Sequence, residues 1–180
     1  MNNNLTERTS HITRSAIFSK DGKKRYKLES VWDEKKPKAC IIMSQPSTAD
    51  ELLTDQTTML CYNNAVAQNL GGISIVNVFC GLDFKKPETD RINSSLLLEE
   101  CSKADVVIVA YGRGTAHTEE KERLLETLKK TCPEKLHTLI DNVKQPFLHP
   151  LSPRCRNWTL KNCRKIVFDS SCDCYFFWFQ

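Results

Sequence analysis

The sequence has no apolar run approaching the roughly 20 residues that cross a bilayer, and its start, MNNNLTERTS, lacks the apolar core of a secretory leader. Neither a membrane span nor leader-directed export is expected, and the chain reads as cytoplasmic. No Cys-x-x-Cys occurs, and no histidine stands at zinc-finger spacing from a cysteine pair, so neither a metal nor a cofactor is expected. Internal repeats and long low-complexity segments are missing too, which argues against a solenoid or an extended disordered array. Strong charge is also missing. A net charge of +4 permits nucleic-acid binding without arguing for it, because phosphate tracking depends on clustered cations.

Cysteine, by contrast, is plentiful. The nine residues are odd in number and scatter through apparent strands and helices as Cys40, Cys61, Cys80, Cys101, Cys132, Cys155, Cys163, Cys172 and Cys174. In that setting they read as small buried hydrophobes of a reducing compartment. Cys172-x-Cys174 is the only spacing that suggests a metal or redox pair.

Residues 1–13 read as a loose polar tail and 14–180 as a single α/β domain. Arg14 to Trp32 alternates on either side of Asp21-Gly22, a strong hairpin signal. Ala39 to Ser44 reads as the first core strand, and Thr54 or Asp55 can cap a helix through TTMLCYNNAVAQNL. Gly71-Gly72 stops it, and Ile73 to Phe79 is the second buried strand. Asn93 reads as the cap of SSLLLEECSKA, and Asp105 to Gly112 as the third strand. Gly112 and Gly114 then turn the chain into HTEEKERLLETLKKTC, with acids in its first turn and lysines in its last, as the helix dipole favours. KLHTLI is a fourth strand, followed by QPFLHPLSP. This alternation predicts βαβ units, hence three αβα layers around a mainly four-stranded parallel sheet, with the N-terminal hairpin added. The terminal CYFFWFQ reads as an element tucked on the core, or, if exposed, as an interaction surface.

Ligands of open parallel sheets bind outside the carboxyl ends of the strands. The first strand places Gln45, Ser47, Thr48, Asp50 and Asp55 there, and the second Asn77 and Phe79. The third contributes Tyr111, Gly112 and Arg113, and the last region His149, Ser152, Arg154 and Arg156. Asn77 interrupts an apolar strand. Its amide either satisfies a neighbouring loop or offers a donor and an acceptor to a planar ligand edge, such as a base. Asp50 and Asp55 read as helix caps or general bases. His149 is a structural histidine or an acid that stabilises a developing anion. Gly112-x-Gly114 at a helix start is a weak anion-site signal. Arg154 and Arg156 are a solvated loop or phosphate contacts.

The ordered segments RYKLESVW, IIMSQPSTAD, TDQTT, GGISIVNVF, RIN, VVIVAYG and HPLS resemble the bacterial and phage family called domain of unknown function sixteen-forty-three, from about Arg25 to Trp158. That family usually has Asn where Gln45 stands, and tends to Tyr where Ser152 stands. The layout also resembles, more distantly, the uracil-DNA glycosylase superfamily, whose sheet of four parallel strands lies between helices. That resemblance implies that Gln45 positions the hydrolytic water, Asn77 reads a flipped base, His149 stabilises the departing base and Leu151 wedges into the duplex. It further implies that Phe79 or Tyr62 stacks on the base. Gln45 cannot itself deprotonate water, so Asp50 or Asp55 would have to compensate. The resemblance also implies no iron–sulfur cluster, since no close cysteine pair stands near the N-terminus.

The expected function is therefore hydrolysis of the N-glycosidic bond of a damaged or modified DNA base. A non-catalytic nucleotide or DNA binder using the same site is the second reading. A protein-interaction module working through the basic hairpin and the aromatic C-terminus is the third.

Overall fold

The computed structural model describes residues 5–114, 118–164 and 166. Residues 5–12 are exposed and form no regular structure. The Asp21-Gly22 turn, with Gly22 at φ +70°, folds β1 (Thr13–Phe18) onto β2 (Arg25–Val31), pairing Ala16 with Leu28. The chain continues through β3 (Lys38–Met43), α1 (Gln56–Ala67), β4 (Gly72–Asn77), α2 (Arg91–Lys103), β5 (Val106–Val109), α3 (Thr118–Thr131) and β6 (Leu136–Ile140). A 3-10 turn at Pro153–Cys155 then precedes β7 (Thr159–Asn162).

Among the described residues the sheet has seven strands in the order β1-β2-β4-β3-β5-β6-β7. β4, β3, β5 and β6 run parallel, as the βαβ alternation predicts, and their carboxyl ends share one edge. The expectation of a mainly four-stranded sheet with an appended hairpin needs correction, because the sheet is mixed and the hairpin belongs to it. β2 pairs antiparallel with β4, setting Leu28 opposite Ile75 and Val31 opposite Gly72, and β7 closes the far edge antiparallel to β6. Burial explains the extension. Leu28 and Ile75 are both 1 % exposed, an apolar match that a free hairpin would leave in water.

Alternation along the parallel strands divides the core between the two faces. Cys40, Ile42, Val76, Val107 and Val109 pack with Leu97 and Cys101 of α2 and with Leu125 and Leu128 of α3. Ala39, Ile41, Ile73, Ile75 and Ile108 pack with Cys61 and Ala65 of α1. Helices thus cover both faces. Asp55 is the α1 cap, its carboxylate accepting the Thr58 N–H at 2.7 Å.

α2 is capped by Asp90, which accepts the Asn93 N–H at 2.8 Å, and not by Asn93 itself. Asn93 lies a turn inside the helix, 1 % exposed, and its amide nitrogen donates to the backbone oxygens of Asn77 (3.0 Å) and Val78 (3.1 Å). It ties the helix to the end of β4.

The seven described cysteines are free and buried. Burial raises the thiols of Cys61 and Cys163, which matches a packing role. Cys172-x-Cys174 and CYFFWFQ lie outside the described residues. Among the described residues no helix is long and apolar enough to cross a membrane, and no group of His, Cys, Asp and Glu is placed to hold a metal ion.

Candidate functional site at the carboxyl ends of the parallel strands

Past Met43 the ladder runs on for a short distance before the chain departs. Val78 and Phe79 donate their N–H groups to the Met43 and Ser44 carbonyls, each at 2.9 Å, and the Ser44 hydroxyl donates to the Tyr111 carbonyl at 3.1 Å. Pro46 then removes a donor and the chain leaves the sheet as the loop 45–55.

That loop is braced from below by Arg25 of β2. Arg25 is 1 % exposed, and its guanidinium donates to the carbonyls of Ser47 (3.3 Å) and Ala49. Burial pulls its pKa down to about 10 against the opposing pull of Asp55 and Asp50. Arg14 of β1 holds the outer part of the loop, donating to the carbonyls of Leu52 (3.1 Å), Asp50 (3.2 Å) and Leu53 (3.4 Å). Asp50 folds the loop on itself, its carboxylate accepting the Leu52 and Leu53 N–H groups at 2.8 and 2.6 Å. Those two backbone bonds, Leu53 foremost, keep the acid below its ordinary value.

Arg25 is the residue a reader of the sequence misses. Lys23, Lys24 and Lys27 around it make the segment look like a solvated turn. Only its place on an alternating strand carries a signal. Among the surrounding cations, Lys24 pairs with Asp90 (2.9 Å), and Lys27 with Glu29 and Glu100 (3.4 Å each). Much of the hairpin's positive charge is thus engaged within the protein.

Burial pushes the Asp55 carboxyl up. The Thr58 N–H, the Thr58 and Ser47 hydroxyls and the Arg25 charge outweigh that push and hold it below the usual carboxylate value. Asp55 and Asp50 are therefore anions at neutral pH, one capping a helix and the other shaping a loop.

Asn77 is the last residue of β4, paired in register with Met43, and it alternates with Ile73 and Ile75 toward the α1 face. It is 1 % exposed, and neither its amide nitrogen nor its amide oxygen has a hydrogen-bond partner. The amide nitrogen of Gln45 is likewise buried without a partner. A buried polar group left unsatisfied costs about 1–3 kcal/mol. One amide closes β4 and the other lies two residues past the end of the neighbouring parallel strand β3, where a polar ligand could satisfy both.

His149 arrives from the loop after β6. Its Cβ lies 3.4 Å from the Cβ position that a side chain on Gly112 would add, an ordinary contact, and it is the φ of +79° at Gly112 that calls for glycine here. The His149 Nδ1 faces the Leu151 N–H at 3.2 Å; accepting that bond leaves the ring proton on Nε2. Burial lowers its pKa below the ordinary 6.5, with the Asp55 charge opposing. A neutral imidazole carrying an Nε2–H can donate to an anion that forms in front of it.

The same shift has a consequence for stability. A base whose folded pKa is depressed binds fewer protons folded than unfolded. Its contribution is complete above 6.5 and is lost as pH falls toward the lower folded value. Urea midpoints measured across that window should fall for the wild type and flatten in His149→Gln; superimposable pH profiles would contradict the shift.

Contacts and charge interactions link Arg25 to Ser47 and Asp55, Asp55 to His149, and His149 to Gly112, while Gln45 and Asn77 lie at the ends of adjacent strands. Tyr111 stacks on Phe147 (centroids 5.9 Å, planes at 15°), and Lys121 of α3, 3 % exposed, holds its ammonium 5.6 Å from the Tyr111 ring centre and 3.1 Å from the Gly114 carbonyl. Neither Phe147 nor Lys121 stands out in the sequence as a site residue. Phe79 and Tyr111 belong to the core on the α2–α3 face, while Tyr62 packs edge-on against Trp32 at 4.7 Å, on the α1 face. Thr48, Leu151, Arg154 and Arg156 are exposed. Arg154 turns to Asp141 (3.4 Å) and Gln145 (2.9 Å), and Ser152 caps the 3-10 turn.

These features define an α/β protein whose polar site lies at the carboxyl ends of its parallel strands. The chain belongs to the family described as "Protein of unknown function (DUF1643)", whose model matches residues 25–151, from the buried arginine to the loop that carries His149. No curated protein and no solved structure matched it.

Proposed function

We propose that the strand-end site receives a nucleobase turned out of its stack and hydrolyses its N-glycosidic bond. The observation that carries this reading is the Asn77 carboxamide: buried, with donor and acceptor both unpartnered, at the strand end where the resemblance to uracil-DNA glycosylases puts the base-reading asparagine. One carboxamide edge matches one donor–acceptor edge of a base.

In the reaction the C1′–N bond breaks and its electron pair leaves with the base, while water adds at C1′. The His149 Nε2–H donates to the departing anion. Gln45 orients the water, which sheds its proton to the Asp55 carboxylate or to bulk solvent. Asp55 is a weak base, but a centre with oxocarbenium character needs little deprotonation of the incoming water.

Gln45 in place of an ionisable group supports a second reading, in which the same pocket binds a base or nucleotide without cleaving it. The experiment is alkali cleavage of end-labelled single and double strands carrying uracil, hypoxanthine, oxidised, alkylated or phage-type modified bases. The expected result is breakage at one lesion, with rates falling by about 100-fold or more in His149→Ala and Asn77→Ala. An intact panel together with a nucleobase-induced rise in melting temperature, lost in Asn77→Ala, would move the reading to binding alone.

A further inference from the structure

The Asn77 carboxamide has no partner, but the backbone that carries it is held from two sides. The N–H of the Asn77–Val78 peptide donates to the Met43 carbonyl at 2.9 Å. The carbonyl of that peptide, on Asn77, has left the ladder with β2, which pairs with β4 only from Gly72 to Ile75. Asn93 of α2 supplies the donor there. Its amide nitrogen reaches the carbonyls of Asn77 (3.0 Å) and Val78 (3.1 Å) and the Thr89 hydroxyl (3.0 Å). Only an N–H can face two carbonyls, so chemistry fixes which way this amide is turned. Its oxygen is left buried without a partner, an orphan that weighs against the fold. The hold is also anchored away from β4. Asp90 accepts the Asn93 N–H (2.8 Å), the Lys24 ammonium (2.9 Å) and the Tyr26 hydroxyl (3.1 Å). The first turn of α2 is thus fixed to β2 while the Asn93 side chain grips the end of β4.

We infer that Asn93 is a positioning residue of the strand-end site: it fixes the peptide from which the Asn77 side chain projects, and so the direction in which that carboxamide meets a base. The inference rests on the nucleobase reading of Asn77 and adds the residue that preorganises the contact. An asparagine side chain turns about only two bonds, so the direction of its backbone decides where the amide lies. Backbone already held in place before a base arrives leaves less ordering to be lost on binding. Asn93 acts through the Asn77 carbonyl and need not touch the base.

The test titrates uracil, hypoxanthine, cytosine and adenine into isotope-labelled full-length protein, well below its melting midpoint, and follows the Asn77 side-chain NH2 resonances. Wild type is compared with Asn93→Ala and with Leu128→Ala, a core truncation on α3. Asn93→Ala should displace those resonances before any base is added and bind the preferred base about tenfold more weakly. Leu128→Ala also lowers the melting temperature, yet it should keep the wild-type resonances and affinity. Asn93→Ser, with one proton to offer in place of two, should fall between wild type and Asn93→Ala. If Asn93→Ala keeps both resonances and affinity while wild type binds a base, Asn93 serves the fold alone and the base reading stands. If Leu128→Ala weakens binding as much as Asn93→Ala, the effect is one of stability and the positioning role is overturned. Wild type binding none of the four bases would overturn the base reading and this inference with it.

Discussion

Replacing Arg25 with Met should lower the unfolding free energy by about 2–4 kcal/mol and open the 45–55 loop to protease. Substituting a buried ion pair with apolar groups can be neutral when both partners go together. Here only the cation goes. The Ser47 and Ala49 carbonyls lose their donor, and Asp55 and Asp50 lose the charge that helps keep them ionised. The loss of partners therefore outweighs the relief of desolvation. Arg25→Lys keeps the charge but not the forked donor set, so it should recover only part of the difference. Urea denaturation and timed proteolysis read both effects. An Arg25→Met midpoint equal to wild type would show that Arg25 does not brace the loop.

Asn77 should behave in the opposite way. Leu has nearly the same shape and no polar atoms, so Asn77→Leu relieves two unpartnered buried groups while still filling the space. The variant should be more stable than wild type by about 1–2 kcal/mol, yet it should bind no nucleobase. A side chain that weakens the fold by its presence is the signature of a residue retained for what it contacts. Should thermal melts instead show a loss like that of an ordinary core substitution, the amide would be contributing to the fold and the functional reading of Asn77 would fail.

Much of this could be read from the chain because it is written in local terms. The Asp21-Gly22 turn, the Asp55 cap and the four apolar runs each depend on neighbours within a few residues, and the parallel strands follow from the helices between them. The pairing of β2 with β4 is not local. Its only trace is that Leu28 and Ile75 both need a partner, a requirement many pairings would meet. β7, TLKN, is too short and too polar to register as a strand until β6 offers it a ladder.

α2 offers two cap residues three positions apart, and Asp90 takes the role because Asn93 is needed at the end of β4. The same logic divides the site. Gln45, Asn77 and His149 stand out because polar groups interrupt apolar or proline-fixed runs. Arg25 and Lys121 are buried only by the packing of distant elements, and their lysine-rich and glutamate-rich surroundings conceal it.

The most direct test of the site is the amide spectrum of Asn77 itself. Its side-chain NH2 resonances, assigned by their disappearance in Asn77→Leu, should move when free nucleobases or base-bearing oligonucleotides are titrated into isotope-labelled protein. At least one base should produce a saturable shift that reaches the Gln45 amide as well. If every base leaves both side-chain amides unmoved while the protein stays folded, the strand-end residues do not read bases and the proposed function falls.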